Sequence, residues 1–254
     1  MKYILQSILF LVLFTFVNTL FAQDLQQFFD AGNAHYSEGR YQAAIDEYQK
    51  IINNDVESAE LYYNMANAHY KLNNVAPSNY YFEKAKQLAP SDRDIKNNAS
   101  FAQKMKIDAI TPLPENTFSK TYNNIISLLT IDGWAVATII LVFLFVISFL
   151  AYYFSGYSRV KRLYFIVSIL SIFLAIVSLI FSYDAFAKAK KDHYAIVFSE
   201  QSQVKSEPNF ASTDAFLLHE GTKVLILESA KDWKRIQLAD GKDGWIPTTD
   251  IQEL

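Results

Sequence analysis

The sequence contains no cysteine, and this absence excludes several kinds of site at once. Disulfide bonds, thiolate zinc sites, cysteine nucleophiles and the lipid-modified cysteine of a bacterial lipoprotein all require that residue. Histidine is scarce as well, with four residues scattered along the 254-residue chain. The sequence also has no nucleotide-binding loop, no serine or carboxylate catalytic arrangement and no metal-ligand spacing. We therefore expect a protein that is not an enzyme and that uses no cofactor or metal.

An excess of positive charge is also lacking. The 23 basic and 26 acidic residues give a formal charge of −3, which argues against a nucleic-acid-binding protein. Hydrophobic residues make up 51% of the chain, too many for a disordered protein, whereas the mean hydropathy near zero is too low for a polytopic transporter. The positions of the apolar residues therefore decide the class of protein.

The first apolar run follows Lys2 and ends at Ala22, just before a polar segment. A basic start, an apolar run and a final small residue predict a secretory signal peptide over residues 1–22. Leu20 is larger than the residue usual at its place before a cleavage site, so an uncleaved anchor is the alternative. Either interpretation exports the segment that follows.

Two further apolar runs, residues 134–154 and 163–183, each contain 21 residues without a charge. About 20 apolar residues in a helix cross a bilayer, so the runs predict two transmembrane helices. The loop between them, residues 155–162, carries three basic residues. Short basic loops remain in the cytoplasm. The sequence therefore predicts a bacterial inner-membrane protein with both soluble segments in the periplasm.

The segment before the spans repeats itself at an offset of 34 residues. Asn33-Ala34-His35-Tyr36 returns as Asn67-Ala68-His69-Tyr70. A fixed period of 34, with small and aromatic residues at set positions, predicts helix-turn-helix repeats over about 25–58 and 59–92. Residues 92–108 have the pattern of a capping helix, which completes a helical domain over 23–110.

The small and aromatic positions of these copies resemble the tetratricopeptide repeat. Gly32, Ala44 and Tyr48 stand at the signature places of the first copy, and Ala66 and Phe82 at those of the second. In that family the first helix of each repeat lines a concave groove that holds a peptide. The resemblance implies a peptide-binding groove formed by Phe29, Asn33, Tyr36, Tyr63, Asn67, Tyr70 and Lys71.

Within that groove, asparagine side chains can bond a peptide backbone as donor and as acceptor, so Asn33 and Asn67 are the main expected contacts. The alternative is that some of the tyrosines only pack the helices together. Residues 111–133, which contain Pro112 and Pro114 near their start, predict a linker and an amphipathic helix that leads along the membrane into the first span.

The last segment, residues 190–254, changes to short β-branched and aromatic runs separated by turn residues. Five such runs predict a small barrel. The residues resemble the bacterial SH3-type domain in Val204–Pro208, His219–Thr222, Asp232-Trp233 and Asp240–Ile246. Trp233 and Trp245 either form a ligand surface, as aromatic clusters do for proline-rich peptides, or close the barrel core. His219 lies beside a turn and needs no role beyond capping it.

The predicted fold class is a multidomain membrane protein: an all-α tetratricopeptide solenoid, a two-helix transmembrane hairpin and a small all-β SH3-like barrel. This module order resembles the BatE-type proteins of bacterial aerotolerance operons. The resemblance implies a membrane-anchored scaffold that works with Bat-type proteins carrying von Willebrand A domains, and with a MoxR-type ATPase. The alternative function is a cell-wall sensor whose SH3-type domain binds peptidoglycan.

Overall fold

The computed structural model of the protein describes residues 24–114 and 116–254. The predicted signal peptide, residues 1–22, lies outside the described residues. In the described part of the chain, eight helices precede a single antiparallel sheet of seven strands.

The helical repeat region consists of five helices. They are α1 (residues 24–37), α2 (Tyr41–Ile52), α3 (Ala59–Lys71), α4 (Val75–Leu88) and α5 (Arg93–Gln103). The turn inside each pair follows the 34-residue period. Gly39 after α1 and Asn73 after α3 both have left-handed backbone, with φ of 76° and 60°. Their N–H groups donate to the carbonyls of Tyr36 and Tyr70, so the two copies end their first helices in the same way.

The core of the repeats is built from small residues facing aromatic ones. Tyr48 is fully buried, and a Cβ on Gly32 would lie 2.3 Å from its ring, so only glycine allows α1 to approach α2 this closely. In the second copy, Ala66 and Phe82 are buried in one cluster that also takes in residues of α5. Asp92 caps the start of α5, and its side chain accepts hydrogen bonds from the N–H groups of Asp94 and Ile95.

Three helices follow: α6 (Thr117–Ile126), α7 (Ile131–Phe154) and α8 (Ser158–Lys191). By length and composition, α7 and α8 could each cross a membrane. They form an antiparallel hairpin in which the hydroxyl of Ser178 donates to the Trp134 carbonyl at 2.9 Å. The loop is shorter than the sequence predicts because α8 begins at Ser158, and α8 also runs eight residues past the predicted end of the span.

Seven strands make up the C-terminal sheet. They are β1 (His193–Val197), β2 (Gln201–Lys205), β3 (Asp214–His219), β4 (Lys223–Ala230), β5 (Trp233–Gln237), β6 (Asp243–Pro247) and β7 (Ile251–Glu253). Their order is β3-β2-β6-β5-β4-β1-β7, and all neighbours are antiparallel. The alternate residues that point inward, among them Val197, Val204, Leu218, Val224 and Ile246, form one buried cluster. The sheet therefore folds over a single core.

The predicted barrel is wrong, because the sheet is not closed. Strands β3 and β7 are its two edges and do not pair with each other. A side-chain bond spans part of the gap instead: Ser202 Oγ on β2 donates to Asp250 Oδ2, just before β7, at 2.5 Å.

The sheet packs directly against the helical repeats. Ala76 and Tyr80 of α4 are buried with Ile196 of β1, and the ring of Phe198 lies 5.8 Å from that of Tyr80. Beside this apolar contact, Glu83 of α4 is buried and forms an ion pair with Lys223 of β4 at 2.7 Å. The repeats and the sheet are therefore one docked unit.

Candidate peptide-binding groove

The first helices of the repeats, α1 and α3, and the capping helix α5 are joined by a row of asparagines. Asn64 Nδ2 donates to Asn33 Oδ1 at 3.0 Å, and Asn98 Nδ2 donates to Asn67 Oδ1 at 3.1 Å. In both pairs the donor follows the acceptor by 31 residues. The same bond therefore links α1 to α3 and α3 to α5.

These bonds determine what the two predicted asparagines can offer a ligand. Asn33 Oδ1 also accepts from the hydroxyl of Tyr48 at 2.8 Å, and Asn67 Nδ2 donates to the Tyr63 carbonyl at 2.9 Å. The acceptor of Asn33 is therefore shared by two internal donors. Among the described residues, the Nδ2 group of Asn33 has no hydrogen-bond partner and remains a free donor. Both side chains hold the groove in shape.

Four of the seven predicted groove residues come together around a pocket of about 150 Å³. They are Tyr36 of α1 and Asn67, Tyr70 and Lys71 of α3. The pocket is completed by two residues of α5, Asn98 and Phe101. The capping helix therefore supplies part of the surface that the sequence analysis assigned to α1 and α3 alone.

The remaining predicted aromatics are mainly packing residues. The ring of Phe29 lies 6.0 Å from that of Tyr48, and the ring of Tyr63 lies 6.1 Å from that of Phe82. Tyr63 also makes a polar contact, because its hydroxyl accepts a hydrogen bond from Asn98 Nδ2 at 2.6 Å. Tyr63 therefore fits the alternative interpretation, in which some tyrosines of the predicted groove pack the helices together.

The pocket combines a neutral polar wall with a cationic, aromatic end. Burial, with a smaller effect of Tyr41, raises the pKa of the Tyr36 phenol, so this hydroxyl stays protonated and can both donate and accept. Lys71 is exposed, and Phe101 keeps 51% of its surface exposed. The ammonium of Lys104 lies 5.1 Å from the centre of the Phe101 ring. This end suits an apolar side chain beside a negatively charged or carbonyl group.

Sequence reasoning missed Asn64, Asn98 and Phe101. A signal for the asparagines was present, because Asn64 follows Asn33 by the same interval as Asn98 follows Asn67. That interval of 31 differs from the 34-residue repeat, and it only gains meaning once successive helices lie side by side. No comparable pattern marks Phe101.

The two predicted tryptophans lie on the outer face of the sheet. In the register of β5 and β6, Trp233 lies opposite Pro247 and Arg235 opposite Trp245. These residues alternate with Ile236 and Ile246, which belong to the core cluster, so the tryptophans point away from that core. Trp233 is only 7% exposed, because the ring of Phe210 covers it with its centre 4.8 Å from the centre of the Trp233 ring.

Comparison with known proteins bears on the groove alone. No curated protein matches the chain. A family model described as a TPR repeat matches residues 32–73, from within α1 to the turn after α3. The match includes Asn33, Tyr36, Asn67, Tyr70 and Lys71. Residues 32–73 therefore contain a tetratricopeptide repeat.

Proposed function

We propose that this protein is a non-enzymatic, membrane-anchored scaffold that holds a peptide segment of a partner protein in the groove of α1, α3 and α5. The observation that carries this proposal is the convergence of Tyr36, Asn67, Tyr70 and Lys71 with residues of α5 around one pocket. Tetratricopeptide repeats are protein-binding modules, and this pocket lies on their first helices.

The groove residues are arranged for binding rather than for chemistry. The asparagine row is held by internal hydrogen bonds, so little side-chain entropy is lost when a ligand arrives. Tyrosines add a large contact area at low entropy cost. The described residues contain no cluster of three or more metal-ligating side chains. The available groups, amides, phenols and one lysine, recognise a peptide backbone and a polar or acidic side chain.

Membrane anchoring is the second part of the proposal, and it rests on α7 and α8. Most of their side chains are exposed, as expected for helices surrounded by lipid. Three basic residues, Arg159, Lys161 and Arg162, lie at the start of α8 beside the turn and favour a cytoplasmic turn. We therefore propose that the repeats and the sheet lie in the periplasm of a bacterial inner membrane. The module order resembles BatE-type proteins, so we propose Bat-type membrane proteins with von Willebrand A domains as partners.

A pull-down of the full-length protein from native membranes in mild detergent tests the groove. Lys71→Glu should reduce recovery of the partner at least about tenfold, because Lys71 lines the pocket and makes no internal ion pair among the described residues. The double variant Asn33→Ala with Asn67→Ala should reduce it as well. Since those asparagines also support the fold, circular dichroism must show that the double variant stays folded.

The matched control is Lys96→Glu. Lys96 is exposed on α5, and helical spacing places it on the opposite side of the buried residues Ile95 and Ala99 from Asn98. This variant introduces the same charge change outside the groove and should retain the partner. Equal recovery by Lys71→Glu and the wild type would reject the groove as the binding site.

A cell-wall sensor is a second candidate, and the outer face of the sheet supports it. Phe210 is 75% exposed over Trp233, and on the same face half-buried Trp245 is flanked by Arg235, which pairs with Asp243 at 2.6 Å. An aromatic surface edged by charged groups can stack on sugar rings and bond their substituents.

Co-sedimentation of the full-length protein with purified peptidoglycan tests the sensor. The wild type should pellet, Trp245→Ala should not, and Phe118→Ala, which removes an exposed aromatic from α6, should pellet as the wild type does. A wild-type protein that stays in the supernatant would rule this function out.

A further inference from the structure

A second cavity lies at the opposite end of the molecule from the groove, where the helical hairpin turns. It has a volume of about 510 Å³ and lies between the end of α7 and the start of α8. Its lining is Tyr152, Ser158, Lys161, Arg162, Phe165 and Ile166. The scaffold function proposed above makes no use of this cavity.

Among the described residues, the cations of this cavity have no carboxylate partner. No aspartate or glutamate occurs in the sequence between Asp132 and Asp184. Within residues 24–114 and 116–254, neither Lys161 nor Arg162 forms an ion pair. The ammonium of Lys161 instead lies 5.0 Å from the centre of the Tyr152 ring. Both cations are therefore available to an anion from outside the chain.

The rest of the cavity wall is apolar and continues into the two hydrophobic helices. Phe165 is 50% exposed and Ile166 is 62% exposed, and the ring of Tyr152 lies 5.6 Å from that of Phe165. A free inorganic anion would use the cations and leave this wall exposed. A phospholipid with a negatively charged headgroup uses both, because its phosphate meets the cations while its acyl chains cover the wall.

We propose that this cavity binds the headgroup of an anionic phospholipid through Lys161 and Arg162. The inference rests on the proposed membrane anchoring, since only a membrane-spanning hairpin brings the cavity to the level of the headgroups. A larger cavity at the other end of the hairpin, lined by Lys86 and Lys223, is less suited to an anion. Those two lysines already pair with Glu83, and the carboxylate of Asp192 lies in the same wall as the third lysine, Lys188.

Native mass spectrometry of the full-length protein tests this site. The protein is released from detergent micelles that contain equal amounts of phosphatidylglycerol and phosphatidylcholine, and the retained lipid is identified. The wild type should retain phosphatidylglycerol preferentially. The variant Lys161→Gln with Arg162→Gln should lose about tenfold or more of that preference, because each cation near the membrane surface attracts anionic lipid.

The control variant is Lys190→Gln with Lys191→Gln, which removes the same charge from the opposite end of α8. It should keep the lipid preference of the wild type. Three results would overturn the proposal: equal retention of both lipids by the wild type, an equal loss in the control, or displacement of the lipid by inorganic phosphate at matched concentration.

Extraction of wild-type membranes with alkaline carbonate tests the lipid site separately from the proposed membrane anchoring on which it rests. Release of the protein by carbonate would reject membrane anchoring, and the lipid site with it. Retention of the protein in the membrane, together with no preference for phosphatidylglycerol, would reject the lipid site alone.

Discussion

Asp108 accepts two hydrogen bonds from His219, one from its backbone N–H at 2.8 Å and one from its Nδ1 at 2.7 Å. Thr222 adds a third through its hydroxyl at 2.7 Å. Asp108 follows α5, whereas His219 ends β3, so the bonds tie the helical repeats to the sheet across 111 positions of sequence. His219 therefore does more than cap a turn.

Replacing Asp108 should loosen this docking. Asp108→Asn keeps the shape of the side chain but removes the negative charge that strengthens these three hydrogen bonds, at a cost of about 2 kcal/mol. Hydrogen exchange should become faster at residues 104–110 and 219–224, while α1 and α2 keep their protection. Asp46→Asn, on the exposed side of α2, is the control and should leave the exchange unchanged. Unaltered exchange in Asp108→Asn would show that the contact contributes nothing to docking.

Acid should weaken the same interface through Glu83. Burial raises the pKa of the Glu83 carboxyl, but Lys223 and Lys86 outweigh burial and lower that pKa from 4.5 to about 2. A carboxyl whose pKa is lower in the folded state stabilises the fold fully above its unfolded pKa. This stabilisation should therefore be lost as the pH falls from about 4.5 to about 2, with a matching fall in the unfolding temperature.

The variant Glu83→Gln tests that assignment. It should be less stable than the wild type at pH 7 and should lose much of the pH dependence between about 4.5 and about 2, because its amide does not titrate. Glu228→Gln, an exposed position on β4, should keep the wild-type profile. Identical profiles for Glu83→Gln and the wild type would assign the acid sensitivity to other carboxylates.

The close approach of α1 to α2 should make Gly32 intolerant of any side chain. Gly32→Ala places a methyl group against the buried Tyr48 ring, which should lower the free energy of unfolding by about 2 kcal/mol. Replacing glycine within a helix should recover up to about 1 kcal/mol of that loss. Gly156→Ala is the control, because no atom lies within 4 Å of the added methyl. Thermal unfolding should separate the two variants. Equal stability of both would show that the helices move apart without cost.

The absence of cysteine makes the proposed topology directly testable. A single cysteine at Ser100 or at Gly156, both exposed, becomes the only thiol in the protein. In spheroplasts, an impermeant maleimide should label Ser100→Cys at once and Gly156→Cys only after lysis, because the turn is proposed to be cytoplasmic. The reverse labelling order would invert the topology, and labelling of both before lysis would contradict a hairpin that spans the membrane.

The helical repeats could be predicted from the sequence because their determinants are local and repeated. Gly39 and Asn73 show this: each forms the left-handed turn at the same place in its copy. The match of residues 32–73 confirms a tetratricopeptide repeat in this segment, and the bounds of the two copies stay a prediction. The contribution of Asn98 to the groove was not predictable in this way, since it depends on how α5 lies beside α3.

The sheet was harder to predict because its pairing is non-local. Strand β2 reads Gln-Ser-Gln-Val-Lys, and its buried Ser202 gives a polar pattern that hides the strand. Whether a sheet closes depends on its edge strands, which no local run of residues reveals. The same holds for Asp108 and His219, whose partnership appears only after the repeats dock on the sheet.

A single residue, Asp192, separates the end of α8 from the start of β1. So short a connection restricts rotation of the sheet relative to α8, and the repeats that pack against the sheet are restricted with it. We therefore expect the peptide proposed to bind in the groove to be held at a fixed distance and orientation relative to the α7–α8 hairpin.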